Sequence, residues 1–298
     1  MVEQNPLVSV VIPYFNKETS IERSVDSVIN QTHTYWEIIV VDDCSEIKLE
    51  KLAKWENYNI TILYNETNLG PGPSRQKALN LLRGKFVAFL DADDWWEMEF
   101  LELSITTHLN FFNDIAFTWV KTNTLFANGE IHERKNNHLN LNQIRETLIK
   151  YGHPWSTSSI LWNKKFCSTW KELTTNQDSL FEFDSSFLNN NVVHIPRTLC
   201  NKDETVGNNR VDIVKREMMI SNRYYLYSYF FKMGFTKFNL YNKIVLINRF
   251  AWCIVKLNEV NKLDLLFKND LIKMIVFLNF KIVHSILQKT IFKIEIGQ

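Results

Sequence analysis

The first hundred residues alternate between two hydrophobic periods. Val8-Ser9-Val10-Val11-Ile12 is a short β-branched run that reads as a strand ended by Pro13. Ile21, Val25, Val28 and Ile29 follow at helical spacing, and Thr19-Ser20-Ile21-Glu22 ahead of them has the form of a capping box. Ile38–Val41 is a second apolar run stopped by Asp42 and Asp43, and a helix is predicted around Lys48–Trp55. Ile60–Tyr64 reads as a third strand and Asn68–Pro73 as a turn-rich loop. Ser74–Leu82 reads as a helix, and Phe86–Leu90 as a fourth strand ending at Asp91. Strands that are apolar throughout and separated by helices predict a parallel sheet covered on both faces, an α/β fold.

Beyond Asp91 the pattern loosens. Ile115–Val120 and Thr122–Phe126 predict a pair of strands, residues 129–142 a polar loop, and Ser156–Trp162 a strand. Asp178–Phe187 predicts a helix with Leu180, Phe181, Phe183 and Phe187 apolar, and Val192–Ile195 a short strand. Residues 201–210 read as a polar connecting segment, and from about Val211 the pattern is helical to the end. No apolar run reaches the roughly 18–20 residues of a membrane span. Met1–Pro6 carries neither a basic stretch nor an apolar one, so the expectation is a domain that starts at once, in the cytoplasm.

Composition narrows the class. The 298 residues are 45% hydrophobic and 22% charged, which suits one large domain or a domain with a helical appendage. A net charge of +1 argues against a general nucleic-acid partner, which needs a positive excess to meet phosphates. That neutrality is divided: residues 1–210 hold 20 basic and 27 acidic residues, residues 211–298 hold 14 and 6. In the basic part, Ile244–Leu257 and Leu271–Leu287 are apolar runs broken by Arg249, Lys256, Lys273 and Lys281, with Lys281, His284, Ser285 and Gln288 on one helical face. Such helices lie on anionic membrane surfaces, or else pack on the rest of the protein. Cys44, Cys167, Cys200 and Cys253 are far apart, without paired spacing, which suits reduced thiols.

Ligands of parallel sheets bind beyond the carboxyl ends of the strands. Those ends carry Tyr14 and Phe15, then Asp42 and Asp43, then Arg75 behind the Gly/Pro loop, then Asp91, Ala92, Asp93 and Asp94. Clustered carboxylates repel one another and call for a cation; oxygen ligands alone suit Mg²⁺ or Mn²⁺, which also hold phosphate oxygens. A solvated acidic turn is the alternative. Asp42 and Asp43 can accept hydrogen bonds from a ribose or a base, or cap the next helix. Arg75, near a helix start, suits a diphosphate or is a surface arginine. No glycine fingerprint follows strand one and no P-loop occurs, so neither a dehydrogenase-type dinucleotide site nor a P-loop nucleotide site is supported.

The order Val8–Asn16, Gln31-Thr32, Ile39–Ser45, Asn68-Leu69-Gly70 with Arg75, and Phe89–Trp95 closely resembles the family-2 glycosyltransferases, inverting enzymes of the GT-A fold. The likeness runs over residues 7–103 and weakens beyond; Ser156–Trp162 followed by Gln177-Asp178 is similar to the family's second half. The resemblance implies a Rossmann-like, mostly parallel central sheet flanked by helices over residues 1–210; residues 211–298 read as a basic helical region from their own pattern. It implies that Pro13 and Phe15 flank a nucleobase, that Asp42 and Asp43 bind base or ribose, and that Arg75 lies near the nucleotide. Asp91 with Ala92 would face ribose or sugar, Asp93 and Asp94 would hold Mn²⁺ or Mg²⁺, and Asp178 would be the general base. The implied reaction moves a hexose or N-acetylhexosamine from a nucleotide sugar to a glycan or lipid-linked glycan in bacterial surface polysaccharide synthesis, at the cytoplasmic face of the inner membrane. Cys44 stands where the family most often has Gly, and Gln177 where Glu is common. A sugar-1-phosphate nucleotidyltransferase, which needs a Gly-rich loop after strand one, and a non-catalytic nucleotide-sugar-binding protein are the alternatives.

Overall fold

The computed structural model describes residues 5–259 apart from 51, 112–113, 135–140, 173–175, 206–212 and 235–237. The chain forms two compact units, residues 1–208 and 209–298.

The first unit is built on one sheet. β1 (Val8–Tyr14) lies between β2 (Trp36–Asp42) and β4 (Phe86–Phe89), with β3 (Ile60–Tyr64) outside β2, and all four run parallel. Every residue of β2 and β4 is buried, as the continuous apolar runs require when both faces are covered. β1 continues through Pro13 instead of ending there. Val11 O accepts from Leu90 N and Tyr14 O from Asp43 N, so Pro13 faces the β4 side, where pairing has already stopped at Val11–Phe89. A missing donor costs nothing at that point.

Beyond β4 the sheet becomes mixed. β8 (Ile160–Asn163) is antiparallel to β4 and to β6 (Phe117–Phe126), β6 is parallel to β9 (Val192–Glu204), and β5 (Trp95–Trp96) closes the order antiparallel to β9. β6 is one ten-residue strand, not the predicted pair; a register shift at Lys121 breaks the pattern without breaking the strand. β7 (Ile131–Glu133), inside the predicted loop, pairs with it. β9 runs through Asn201–Glu204, which the sequence reads as connecting chain, because its polar half is paired to Asn123–Phe126.

The helices fill in around this frame. α1 (Ile21–Ile29) buries Ile21, Val25 and Val28. Its capping box does not form: the Ser20 hydroxyl donates to Lys17 O and accepts no backbone N–H. The predicted helix at 48–55 is reduced to one 3₁₀ turn, Ala53–Trp55, since Asp42 takes the N–H groups of Ser45 and Leu49 and holds the chain open. α2 (Pro71–Leu79) starts inside the predicted loop, with Pro at its first positions as helix starts favour. α3 (Phe100–Asn110) and α4 (Ile144–Tyr151) lie where the sequence pattern predicts no helix, and α5 (Gln177–Ser185) matches the predicted helix with its end drawn in.

In the second unit α6 (Ile213–Gly234) and α7 (Leu240–Glu259) pack together, with Tyr224 and Phe250 stacked at 4.8 Å and Arg249 donating to the Tyr227 hydroxyl at 2.8 Å. The apolar run at 271–287 and the polar face from Lys281 to Gln288 lie outside the described residues. No described helix is long and apolar enough to cross a membrane.

Candidate active site

The carboxyl ends of β1, β2 and β4 form one rim with the starts of α2 and α5 above it. At one end, Pro13, Tyr14, Phe15, Asp43, Asn68, Gly70 and Pro71 line a cavity of about 140 Å³. Phe15 is 42% exposed there, while Tyr14 is buried beneath it. Asp43 builds this wall: its carboxylate accepts from the backbone N–H of Leu69 (3.0 Å) and Gly70 (2.6 Å) and from Asn65 Nδ2 (2.7 Å). The first anion at the N-terminus of α2 is thus the protein's own carboxylate. Asp42 is 1% exposed and its two oxygens accept from Ser45 N and Leu49 N in the loop after β2, so it closes that loop and caps no helix.

The acidic cluster after β4 divides. Asp91 and Asp93 have side chains 35% and 30% exposed, and Ala92 between them is buried. Asp93 Oδ2 is paired with Lys17 Nζ at 2.9 Å. Asp94, expected as a second metal ligand, is wholly buried: its Oδ2 accepts from Ser158 Oγ at 2.6 Å. Burial, then the charge of Asp91, pushes its pKa well above the carboxylate range. Its oxygens face the interior, which leaves Asp91 and Asp93 as the partly exposed carboxylates of the cluster.

Arg75 lies inside the unit, where the sequence offered a surface position as the alternative. It is 3% exposed, not a surface residue, and its fork is spent on two carboxylates: Nη2 donates to Asp91 Oδ1 (2.6 Å) and Nη1 to Asp178 Oδ1 (3.1 Å). Its carbon Cζ lies 4.7 Å from the centre of the Trp170 ring, which stacks on Phe181 at 4.3 Å. Arg75 therefore joins the end of β4 to the start of α5 across an aromatic platform.

Asp178, with a side chain 32% exposed, takes a second hydrogen bond on Oδ1 from Thr157 Oγ1 at 2.9 Å. Burial would raise its pKa, but Arg75, then His153, then the Thr157 bond outweigh it and hold the carboxyl below the ordinary range. One turn further along α5, Glu182 is buried and bonded to His153 Nε2 (2.7 Å) and to Trp155 Nε1 (2.8 Å). Burial opposes charge on His153, yet Glu182 keeps its pKa above the ordinary value. Asp91 moves the other way: burial, with Asp178 and Asp93, raises its pKa against Arg75. Gln177 is buried beside Gly72, where an added Cβ would come within 2.6 Å of its Oε1, so glycine lets α5 start directly against α2.

Thr157, His153, Trp170, Glu182 and Lys17 carry this arrangement and were not singled out in the sequence. The one local signal for them is the polar run Ser156-Thr157-Ser158-Ser159 ahead of an apolar strand. Its Thr157 and Ser158 hydroxyls face Asp178 and Asp94 instead of solvent.

A mixed sheet of this order, with paired carboxylates after its fourth strand and a charged base candidate opposite, defines the GT-A class of nucleotide-sugar folds. The sequence pattern described as Glycosyl transferase family 2 matches residues 9–166, more than half of the chain, and the protein belongs to that family. TuaG of Bacillus subtilis, provisionally named a teichuronic acid biosynthesis glycosyltransferase, is 43% identical over 105 residues, 34% of this chain and 42% of its own. WfgD of Escherichia coli, a UDP-Glc:alpha-D-GlcNAc-diphosphoundecaprenol beta-1,3-glucosyltransferase, is 38% identical over 114 residues, 38% of this chain and 44% of its own. The chain spans under half the length of these curated relatives. In structure it is similar to S. aureus TarS (residues 1–349), with a TM-score of 0.55 and 21% identity over 83% of this chain and 80% of that one. TarS has also been solved with UDP and with UDP-GlcNAc.

Proposed function

We propose that this protein is an inverting glycosyltransferase that moves a hexose or N-acetylhexosamine from a UDP-sugar to a hydroxyl of a glycan or lipid-linked glycan, in bacterial surface polysaccharide synthesis. The observation that carries the reading is Arg75, which brings the donor-side carboxylate Asp91 and the ionised carboxylate Asp178 to one guanidinium. The UDP and UDP-GlcNAc complexes of TarS favour a uridine donor, and the diphosphoundecaprenol in WfgD's name favours a lipid-linked acceptor. With such an acceptor, work at the cytoplasmic face of the membrane follows, with the basic residues 211–298 toward anionic lipid.

In this reading the cavity over Phe15 receives the base, with Pro13 at its edge and Asp43 fixing its wall. Asp91 and the backbone at Ala92 face the ribose or the sugar. Asp178 accepts the proton of the acceptor hydroxyl as that oxygen attacks the anomeric carbon and the nucleoside diphosphate leaves. One displacement inverts the centre, and no covalent glycosyl-enzyme forms.

The site residues fit a divalent cation. Two partly exposed carboxylates offer oxygen donors alone, and a cation, the Lys17 ammonium, already sits on Asp93. An ion held by two carboxylates would complete its shell with substrate phosphates, as Mg²⁺ and Mn²⁺ commonly do. Asp93, with Asp91, would hold it, and it would neutralise charge developing on the leaving diphosphate.

The test is nucleotide release from UDP-, GDP- and TDP-sugars with Mn²⁺ or Mg²⁺. We expect release from at least one UDP-sugar, lost in Asp93→Ala; unchanged turnover in that variant would remove the metal site. Mn²⁺ binding followed by its EPR signal should weaken in Asp93→Asn and persist in Asp94→Asn. Asp178→Asn should keep UDP binding and lose about 10²–10⁴-fold in transfer.

A further inference from the structure

Resting on the reading of Asp178 as the base, we propose that Arg75 is a positioning residue: with Thr157 it fixes Asp178 Oδ1, ties it to Asp91, and leaves Oδ2 as the oxygen that takes the acceptor's proton. It does not contact the nucleotide.

The geometry supports this at three points. Both terminal nitrogens of Arg75 are engaged, one by each carboxylate, so the planar fork has a direction as well as a charge. Trp170 covers one side of the guanidinium, itself held against Phe181 and, through its backbone N–H, by Gln76 Oε1 at 2.8 Å. Thr157 Oγ1 reaches the same oxygen that Arg75 holds, so the two donors select Oδ1 together. A side chain 3% exposed, with each terminal nitrogen turned to a carboxylate and Nε buried, is directed into the protein and away from the open rim where a diphosphate would lie.

The consequence is chemical. The charged groups facing Asp178 are Arg75 from α2, Asp91 from the end of β4, His153 from the loop after α4, and Glu182 from its own helix. Without Arg75, burial and the two carboxylates act against the ionised form, with His153 and the Thr157 hydrogen bond left to oppose them. The carboxyl then protonates at a higher pH, and a base lost to protonation appears as a falling acid limb of kcat/KM.

The experiment compares wild type, Arg75→Met, Arg75→Lys and Thr157→Val in the full chain. UDP affinity is measured by calorimetry, and pH profiles of kcat/KM with whichever UDP-sugar is turned over. Arg75→Met should bind UDP as wild type does, lose about 10²-fold in kcat through misplacement of the base, and move the acid limb up by about 1–3 pH units. Arg75→Lys should return the limb toward wild type but recover kcat only in part, because an ammonium carries the charge without the fork. Thr157→Val should shift the limb the same way by less, which keeps the test in force if Arg75→Met does not fold. UDP affinity falling in step with kcat while the limb stays in place would overturn the proposal, as would a Thr157→Val profile identical to wild type where that variant stands alone. Full transfer by Asp178→Asn is a separate failure, of the base itself.

Discussion

At the scale of single residues, chemistry and backbone have to be read apart. Cys44 follows the acidic pair of β2 where the family favours glycine, and its small size suggests an easy exchange. Its φ is +66°, in the left-handed region that costs an L-residue about 1–2 kcal/mol, so the constraint is conformational and not one of volume. Asn16 and Asn176, the other described non-glycine residues with positive φ, belong to a type that tolerates this region. Cys44 already carries that cost, so Cys44→Gly should raise stability by up to about 1 kcal/mol in urea denaturation, and the β-branched Cys44→Val should lower it. The acidic residues teach the same lesson. Asp91, Asp93 and Asp94 are equivalent in the sequence, yet one holds Arg75, one faces Lys17 and one is sealed under Ser158. Residue type and spacing made the cluster legible; which oxygen meets solvent depends on strands far away in the chain.

Elements were legible where their periodicity was local. β1 to β4 stand close to where the apolar runs put them, because a strand buried on both faces must be apolar throughout. β9 was read at four residues and has thirteen, since its polar half is a strand only through pairing with β6. Gly84 shows how an element end can hide its reason. It carries no positive φ, but an added Cβ would meet Ser9 N at 2.6 Å and Phe86 O at 2.8 Å, where β4 begins beside β1. Both are backbone atoms that cannot swing away. Gly84→Ala should destabilise the protein by about 1–3 kcal/mol on chemical denaturation, with the KM for donor unchanged below the melting range, since Gly84 lies at the opposite end of these strands from the rim.

For the whole molecule, the net charge of +1 conceals an acidic first unit with a carboxylate-rich rim and a basic second region. If residues 211–298 meet anionic lipid, the full chain should sediment with phosphatidylglycerol vesicles and not with phosphatidylcholine ones. Binding should fall away as salt shortens the Debye length from about 8 Å at 0.15 M to about 3 Å at 1 M. Binding to both vesicle types alike, insensitive to salt, would remove the electrostatic reading. By itself the sequence determined the parallel half of the sheet, the acidic cluster after β4 and the family likeness, all of which are written in short windows of apolar period and motif spacing. Only the tertiary structure decided that Arg75 turns inward to join Asp91 and Asp178, that Asp43 holds the Leu69-Gly70 backbone ahead of α2, and that Asp94 is interior. The reason is physical: Arg75 and Asp178 lie 103 residues apart in the chain, and a side chain's partner at that distance is set by how α2, β4 and α5 pack on the sheet.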